Sequence, residues 1–314
     1  MSNDLSMKTV VKAKAYSPLT PKSKAASKAR FFNSIDAFNI VLNSVPDKVF
    51  INESVEALTS SSLTGYTACD SALDSENNVP ATTPFLLARY ARINKGEKLD
   101  ATFNTIASIW YVIEGKGKII IADQEIEWKV GDVFLLPGLE ASLFSDKNTD
   151  SVLWLVTNEP QMEFENTKPL DLATGNIDIV HYPSEEIERQ IKRVNSLEKT
   201  PEAAGIAVIF SSENQLYNRN ITPTLTLAMN TLPPGEFQRA HRHNSVAVSL
   251  IIQGENCYSV INGNRKNWVQ WGTTVTPPLS LHSHHNKGDK QARFLIVQDG
   301  GIYYHARTMG FSFG

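Results

Sequence analysis

Cysteine is nearly absent from this chain: Cys69 and Cys257 are the only two among 314 residues. They stand far apart and in neither metal nor redox spacing, which suits a reducing cytoplasm better than a disulfide-built secreted domain. No apolar run is long enough to span a bilayer, and no signal-like apolar stretch follows the N-terminus, so a membrane protein is not expected. A basic excess is missing too. With 30 Lys and Arg against 33 Asp and Glu the formal charge is −3, and no broad nucleic-acid-binding face is implied. A composition that is 41% hydrophobic and 20% charged remains, that of a soluble globular protein long enough for two domains.

The first thirty residues differ from the rest. Lys8, Lys12, Lys14, Lys22, Lys24, Lys28 and Arg30 are opposed by Asp4 alone, with serine, alanine and proline between them. Arginine is scarce for a transit peptide, and the segment reads as a flexible or partner-embracing arm.

Histidine is scarce as well, but not scattered. Of seven in the chain, six follow residue 240: His241, His243, His282, His284, His285 and His305. Positions i and i+2 of a strand share a face, so His241 and His243 can offer two imidazoles to one ion while a neighbouring strand supplies a third. The cluster LHSHHN provides it. His282 is the expected third ligand; within the same His-x-His pair His284 is the competing choice, and His285 reads as solvated.

An internal repeat sets the architecture. LLARYARINKGEKLDATFNTIASIWYVIEGKGKI aligns without a gap on LTLAMNTLPPGEFQRAHRHNSVAVSLIIQGENCY, pairing Gly96 with Gly235 and Gly115 with Gly254. Both halves alternate apolar and polar residues over short runs bounded by glycine and proline, which predicts antiparallel jelly-roll barrels. YPSEEIERQIKRVNSLEKTPEAAG reads as one helix between them, with Ser184 as N-cap and Ile187, Ile191 and Val194 at helical spacing. SIDAFNIVLNSV and SVEALTS are weaker helical candidates, and 70–78 reads as a loop. The expected organisation is therefore an arm with a helical and loop segment (1–80), a first barrel (81–180), a linker helix (181–205) and a second barrel (206–314). Where the second barrel has His241 and His243 the first has Thr102 and Asn104, and Ala141 to Phe144 holds no histidine. One metal per chain follows, with Trp110 and Tyr111 expected to pack the first barrel.

Gly235, His241, His243 and Gly254 resemble the first motif of the cupin superfamily, G-x5-H-x-H-x3-E-x6-G, with Ala247 in the glutamate slot. Gly272, Pro277, His282 and Asn286 resemble the second. The resemblance implies an all-β fold of two tandem cupin barrels (double-stranded β-helix, jelly roll) joined by a short helical linker. Within cupins, PPGEFQRAHRHNSVAV and PPLSLHSHHNKGD resemble the gentisate, salicylate and 1-hydroxy-2-naphthoate dioxygenases. That likeness implies Fe(II) held by His241, His243 and His282, an anionic chelating aromatic hydroxy acid and O2 as substrates, and ring cleavage beside the carboxylated carbon. It further implies a cytoplasmic enzyme of aromatic compound catabolism, working as a homo-oligomer, dimer or tetramer, without nucleic acid or membrane. His284 matches a histidine that bonds substrate or oxygen, making it the expected catalytic residue. Two substrate positions depart: Ser249 replaces an arginine and Asn230 a glutamine, a loss of bidentate charge pairing for which Arg239, Arg242 or Arg307 are candidates to compensate. Tyr258, Trp268, Trp271, Tyr303, Tyr304 and His305 are further candidates for the pocket. The competing readings are a cupin lyase, isomerase or decarboxylase using its metal as a Lewis acid, and a non-enzymatic metabolite-binding cupin.

Overall fold

A computed structural model describes residues 14–35, 43–72, 79–171, 175–198 and 205–314. It divides into two units, Met1–Ser44 and Val45–Gly314. In the first, Tyr16 and Phe31 form an isolated antiparallel bridge around a single 3-10 turn, Ala26–Lys28. Lys8 and Lys12 of the basic arm lie outside the described residues, as do most of SIDAFNIVLNSV and of the expected 70–78 loop.

The second unit begins with β1 (Val49–Phe50), α1 (Asn52–Leu58) and β2 (Gly65–Ala68). It continues through β3 (Leu87–Ile93), β4 (Lys98–Ala101), β5 (Ala107–Glu114), β6 (Lys116–Ile121), β7 (Gln124–Lys129), β8 (Val133–Pro137), β9 (Ala141–Ser145), β10 (Ser151–Thr157), α2 (Glu159–Glu165) and β11 (Val180–Tyr182). Then come α3 (Ser184–Asn195), β12 (Ile206–Phe210), β13 (Thr226–Leu232), β14 (Phe237–His243), β15 (Ala247–Gln253), β16 (Cys257–Ile261), β17 (Asn264–Asn267), β18 (Thr273–Thr276), β19 (His282–Asn286), β20 (Ala292–Gln298), α4 (Gly300–Ala306) and β21 (Phe311–Phe313). The first barrel joins a six-stranded sheet, β11-β8-β5-β10-β3-β2, to the four-stranded β4-β9-β6-β7; the second joins β1-β18-β15-β20-β13-β12 to the five-stranded β17-β16-β19-β14-β21. This is the expected pair of jelly rolls, with helix α3 between them in the chain.

Strand periodicity explains how the barrels meet. β5 and β10 are buried along almost their whole length because each of their faces has its own core. On β5, Trp110 and Val112 turn into the first barrel with Leu153 and Leu155, while Ile109, Tyr111 and Ile113 turn outward. The outward set packs on Leu227, Val248, Leu250, Leu295 and Val297 of the other six-stranded sheet, so the barrels share one core back to back. Trp110 thus fills the first barrel as expected, whereas Tyr111 belongs to the shared core, its ring 6.3 Å from that of Trp271. Two bonds pin the contact: Trp154 Nε1 donates to Thr273 Oγ1 at 2.9 Å, and Tyr90 Oη lies 2.8 Å from the same hydroxyl.

Helix α3 starts at Ser184 itself, whose backbone N–H donates to Asp132 Oδ1 at 2.7 Å; a carboxylate of the first barrel thus caps it. Ile187 and Ile191 are its buried face. Segments before residue 80 also contribute strands: β1 pairs with β18 and β2 with β3, giving each six-stranded sheet an edge.

Candidate metal centre

Adjacent strands β14 and β19 of the five-stranded sheet bring the histidines together. Their register sets His241 directly opposite His282, with ring centroids 4.2 Å apart; the His243 ring is 4.9 Å from that of His282. One ring nitrogen from each of the three lies within 4.8 Å of the others, close enough to hold a metal ion. His241 and His282 are buried and His243 is half-buried.

The second nitrogen of each ring is already committed. His241 Nδ1 is 2.8 Å from the Arg239 carbonyl, His243 Nδ1 2.8 Å from the Ser245 carbonyl and His282 Nδ1 2.9 Å from the Ser280 carbonyl. A carbonyl can only accept, so each Nδ1 carries the proton and each Nε2 presents a lone pair. Anchoring the far nitrogen in this way fixes tautomer and ring orientation, as in metal-binding histidines generally. Burial lowers the pKa of all three below the usual histidine range, and that of His282, with His241 and His243 beside it, is pushed down to about 3. Neutral imidazoles are the form a metal needs, so the donor set fits a divalent ion that accepts nitrogen.

His284, two residues on, faces the same interior but is held differently. Trp268 Nε1 donates to Ser259 Oγ at 2.8 Å, and Ser259 Oγ lies 2.7 Å from His284 Nδ1. The serine hydroxyl that receives the indole proton still has its own proton to give, and donating it to His284 Nδ1 makes the Nε2–H the free donor. His284 is buried, and burial together with the neighbouring histidines keeps it neutral. The indole fits because residue 254 is glycine: a Cβ there would come within 2.6 Å of the Trp268 ring. His285, on the opposite face, stacks on Tyr258 at 4.7 Å and stays out of the site.

Of the expected substrate residues, two face the barrel interior. Asn230 sits opposite Phe294, whose ring is 5.0 Å from His284, and Ser249 alternates with Val248 and Leu250 of the shared core. Arg239 is not brought in. A bulge between Gln238 and His241 breaks the alternation there, so the Arg239 side chain is exposed, its guanidinium 4.2 Å above the Phe313 ring. Its contribution to the site is its carbonyl. Arg242 and Arg307 are exposed as well, so none of the three arginines replaces the guanidinium missing at Ser249. Tyr304 and His305 are exposed on α4; the aromatic that reaches the cluster from the C-terminal segment is Phe311, stacked 5.4 Å from His241. Asn286, in the second motif, holds the loop behind the site: its amide donates to the Leu232 and Lys290 carbonyls and accepts from Gly288 N–H.

Three residues at the site carried no signal in the motifs. Ser259 reaches His284 only through strand pairing, Phe311 reaches His241 through the pairing of β21 with β14, and Gln298 enters through a contact with His243.

Two jelly-roll barrels in one chain, one of them carrying three converging imidazoles, give this chain a bicupin fold. Its sequence resembles gentisate and 1-hydroxy-2-naphthoate 1,2-dioxygenases, and its fold a salicylate 1,2-dioxygenase. No family model matches the chain. It is 25% identical over 149 residues to gentisate 1,2-dioxygenase of Ralstonia sp., a stretch covering 48% of this chain and 37% of that one. Over 82 residues it is 30% identical to a 1-hydroxy-2-naphthoate 1,2-dioxygenase of Nocardioides sp. (strain KP7), covering 26% and 21%. The matched region thus spans well under half the length of these curated relatives. In structure, salicylate 1,2-dioxygenase from Pseudoaminobacter salicylatoxidans in its adduct with gentisate matches at a TM-score of 0.70, with 13% identity, over 87% of this chain and 86% of that one.

Proposed function

We propose that this bicupin is an Fe(II)-dependent dioxygenase that cleaves the ring of an aromatic hydroxy acid or a related chelating anion. The observation carrying the reading is the set of three neutral imidazoles, each anchored through Nδ1 and offering Nε2 to one point inside the second barrel. His241, His243 and His282 would hold the ion, one per chain. Bound there, ferrous iron would supply the redox chemistry that lets dioxygen react with a phenolate ring.

The remaining work falls to the chain's own side chains. His284 presents its Nε2–H toward the interior as a fixed hydrogen-bond donor, set by Ser259 and Trp268, and is the residue we assign to bond substrate or dioxygen. Asn230 and Ser249, both buried on the inward face of their strands, are the residues we assign to face the substrate. With Arg239, Arg242 and Arg307 all on the exterior, an uncharged ligand set leaves the ion itself to balance an anionic chelate. A ring carrying a single carboxylate beside its hydroxyl suits this site better than one needing a guanidinium clamp.

We assign 206–314 as the catalytic barrel and 81–180 as its scaffold, an arrangement supported by the shared core and by the apolar filling of the first barrel. Among the described residues no helix is long and apolar enough to cross a membrane, and Cys69 and Cys257 are both free and buried, which favours a cytoplasmic setting. A homo-oligomer is the expected working form.

The test is oxygen uptake by anaerobically iron-loaded protein against gentisate, salicylate, 1-hydroxy-2-naphthoate and substituted salicylates. Consumption of one O2 per ring lost is expected with at least one of them. An iron-loaded protein consuming no O2 with any would transfer the site to the lyase or decarboxylase reading.

A further inference from the structure

Gln298 ends β20, half-buried, and its amide nitrogen lies 3.3 Å from His243 Nε2. That nitrogen of His243 is the lone-pair atom, because its Nδ1–H is held by the Ser245 carbonyl. Gln298 therefore donates to the electron pair that a metal would take. When an ion binds His243 this hydrogen bond cannot persist, and the amide is left beside the ion. The strand register places Gln298 directly across from Ala247, the position at which the motif has its glutamate. Directly paired residues on neighbouring strands have Cβ atoms roughly 5 Å apart on one face. Gln298 can thus project into the space Ala247 leaves empty.

We propose that Gln298 is a fourth, neutral protein ligand of the metal, replacing from β20 the carboxylate absent from β15. The inference rests on the three-histidine centre described above. Rotating the amide by half a turn exchanges its oxygen and nitrogen, so the oxygen then faces the ion. The nitrogen turns toward Thr226 Oγ1, now 3.5 Å from the Gln298 oxygen, and a hydroxyl accepts as readily as it donates. An amide oxygen binds more weakly than a carboxylate and adds no charge. It steadies the ion between turnovers and yields its position when an anionic chelate arrives, which a glutamate would resist.

Cobalt(II) loading reads this without activity. Gln298→Ala is expected to weaken Co(II) affinity by roughly 10- to 100-fold in chelator competition and to change the visible d–d spectrum. Gln298→Glu is expected to tighten binding. In the double variant Ala247→Glu/Gln298→Ala, a carboxylate from the opposite strand should restore affinity and spectrum toward those of Gln298→Glu, and matched melting of the metal-free proteins checks folding. Gln298→Ala with an unchanged spectrum and an affinity within threefold of the parent overturns the proposal. So does a variant altered only in its affinity for salicylate, which would make Gln298 a donor to substrate instead. Parent protein taking up no Co(II) would remove the three-histidine centre itself, a failure distinct from either.

Discussion

The two barrels are one fold used for opposite ends. The first is filled: Trp110, Trp128, Phe134, Ile119, Leu143, Leu153 and Leu155 form a continuous apolar interior, and Phe103 lies against Trp110 at 6.4 Å. In the second, the apolar interior shrinks to a small cluster around Ile251, Trp268 and Phe294, and the other end holds His241, His282, His284, Asn230 and Ser249. At the inward pair ending β4 and β9 the first barrel has Ala101 opposite Ala141; the second has His241 opposite His282. Each large apolar side chain buried contributes about 1.5–3 kcal/mol, whereas a buried polar group lacking a partner costs about 1–3 kcal/mol. The second barrel keeps that cost small by bonding one nitrogen of each histidine to a carbonyl or hydroxyl and leaving the other for function. Through the shared core and the Thr273 bonds, the filled barrel supports the one that carries the histidines.

The strongest challenge to this division is transplantation of the ligands. His241→Ala or His282→Ala should take metal content from about one ion per chain to near zero and abolish oxygen uptake, because two imidazoles with only the weak amide of Gln298 beside them do not define a stable site for a labile divalent ion. Histidines at the positions that the gapless alignment pairs with the ligands, Thr102→His with Asn104→His, should add no second ion, because the bulge in β14 makes Ala101 and Ala141 the structural counterparts of His241 and His282. Thr102 and Asn104 are exposed and lie beyond the end of β4, and Asn104 is already tied to the Thr167 carbonyl at 3.2 Å. Elemental analysis of both proteins decides it; a second equivalent in the transplanted variant would show the first barrel to be a latent site.

Emptying the filled barrel is the complementary experiment. Trp110→Ala removes a fully buried indole and its bond to Ser108 Oγ. It should cost about 3–5 kcal/mol of stability, visible as a lower denaturation midpoint, while the protein that remains folded still binds one metal. Loss of metal in proportion to stability is the outcome that would erase the distinction between scaffold and site.

Within the second barrel, His284→Asn should leave metal content intact and lower kcat by roughly 100-fold or more, the range of a lost positioned proton donor. Ser259→Ala should lower it less, since Trp268 would still confine the ring while the tautomer was released. An effect of Ser259→Ala equal to that of His284→Asn would mean that tautomer selection accounts for the whole contribution of His284. Metal loss in either variant would instead return His284 to the ligand set.

How far the sequence carried depends on the range of the interaction involved. The repeat, the barrels and the His-x-His pair follow from alternation along single strands, which composition at i and i+2 records directly. His282 needed a motif, because only register places it opposite His241. Arg239 was misplaced for a local reason: a strand's alternation implies one face for residues 239, 241 and 243, and the bulge after Gln238 turns Arg239 outward. Ser259, Gln298 and Phe311 left no trace in the motifs, since each enters the site from another strand. Strand pairing between distant segments is the information a linear pattern does not hold.

The two barrels also differ by one ionisable atom at a shared position. After β10 and after β20, the residue preceding the following helix accepts a backbone N–H at the entry to the partner strand: Asn158 Oδ1 from Ile106 at 3.0 Å, Asp299 Oδ1 from Val246 at 2.8 Å. The first barrel uses an amide, the second a carboxyl group that burial pushes up to about 7. In the unfolded chain this group ionises near its ordinary value of 3.8, so between about pH 4 and 7 the unfolded state has lost a proton that the folded state keeps. Stability from this residue therefore falls as pH rises through that window and stays low above it. Asp299→Asn would make the second barrel like the first at this point, preserving the acceptor and removing the titration. The variant should be more stable than its parent at pH 8, by on the order of 2 kcal/mol, and the difference should shrink to nothing near pH 4. Measuring the variant against its parent cancels the opposing titration of the buried histidines, which are common to both. A stability difference that does not change with pH would mean that the carboxyl group is already ionised in the folded barrel, held by the Val246 amide.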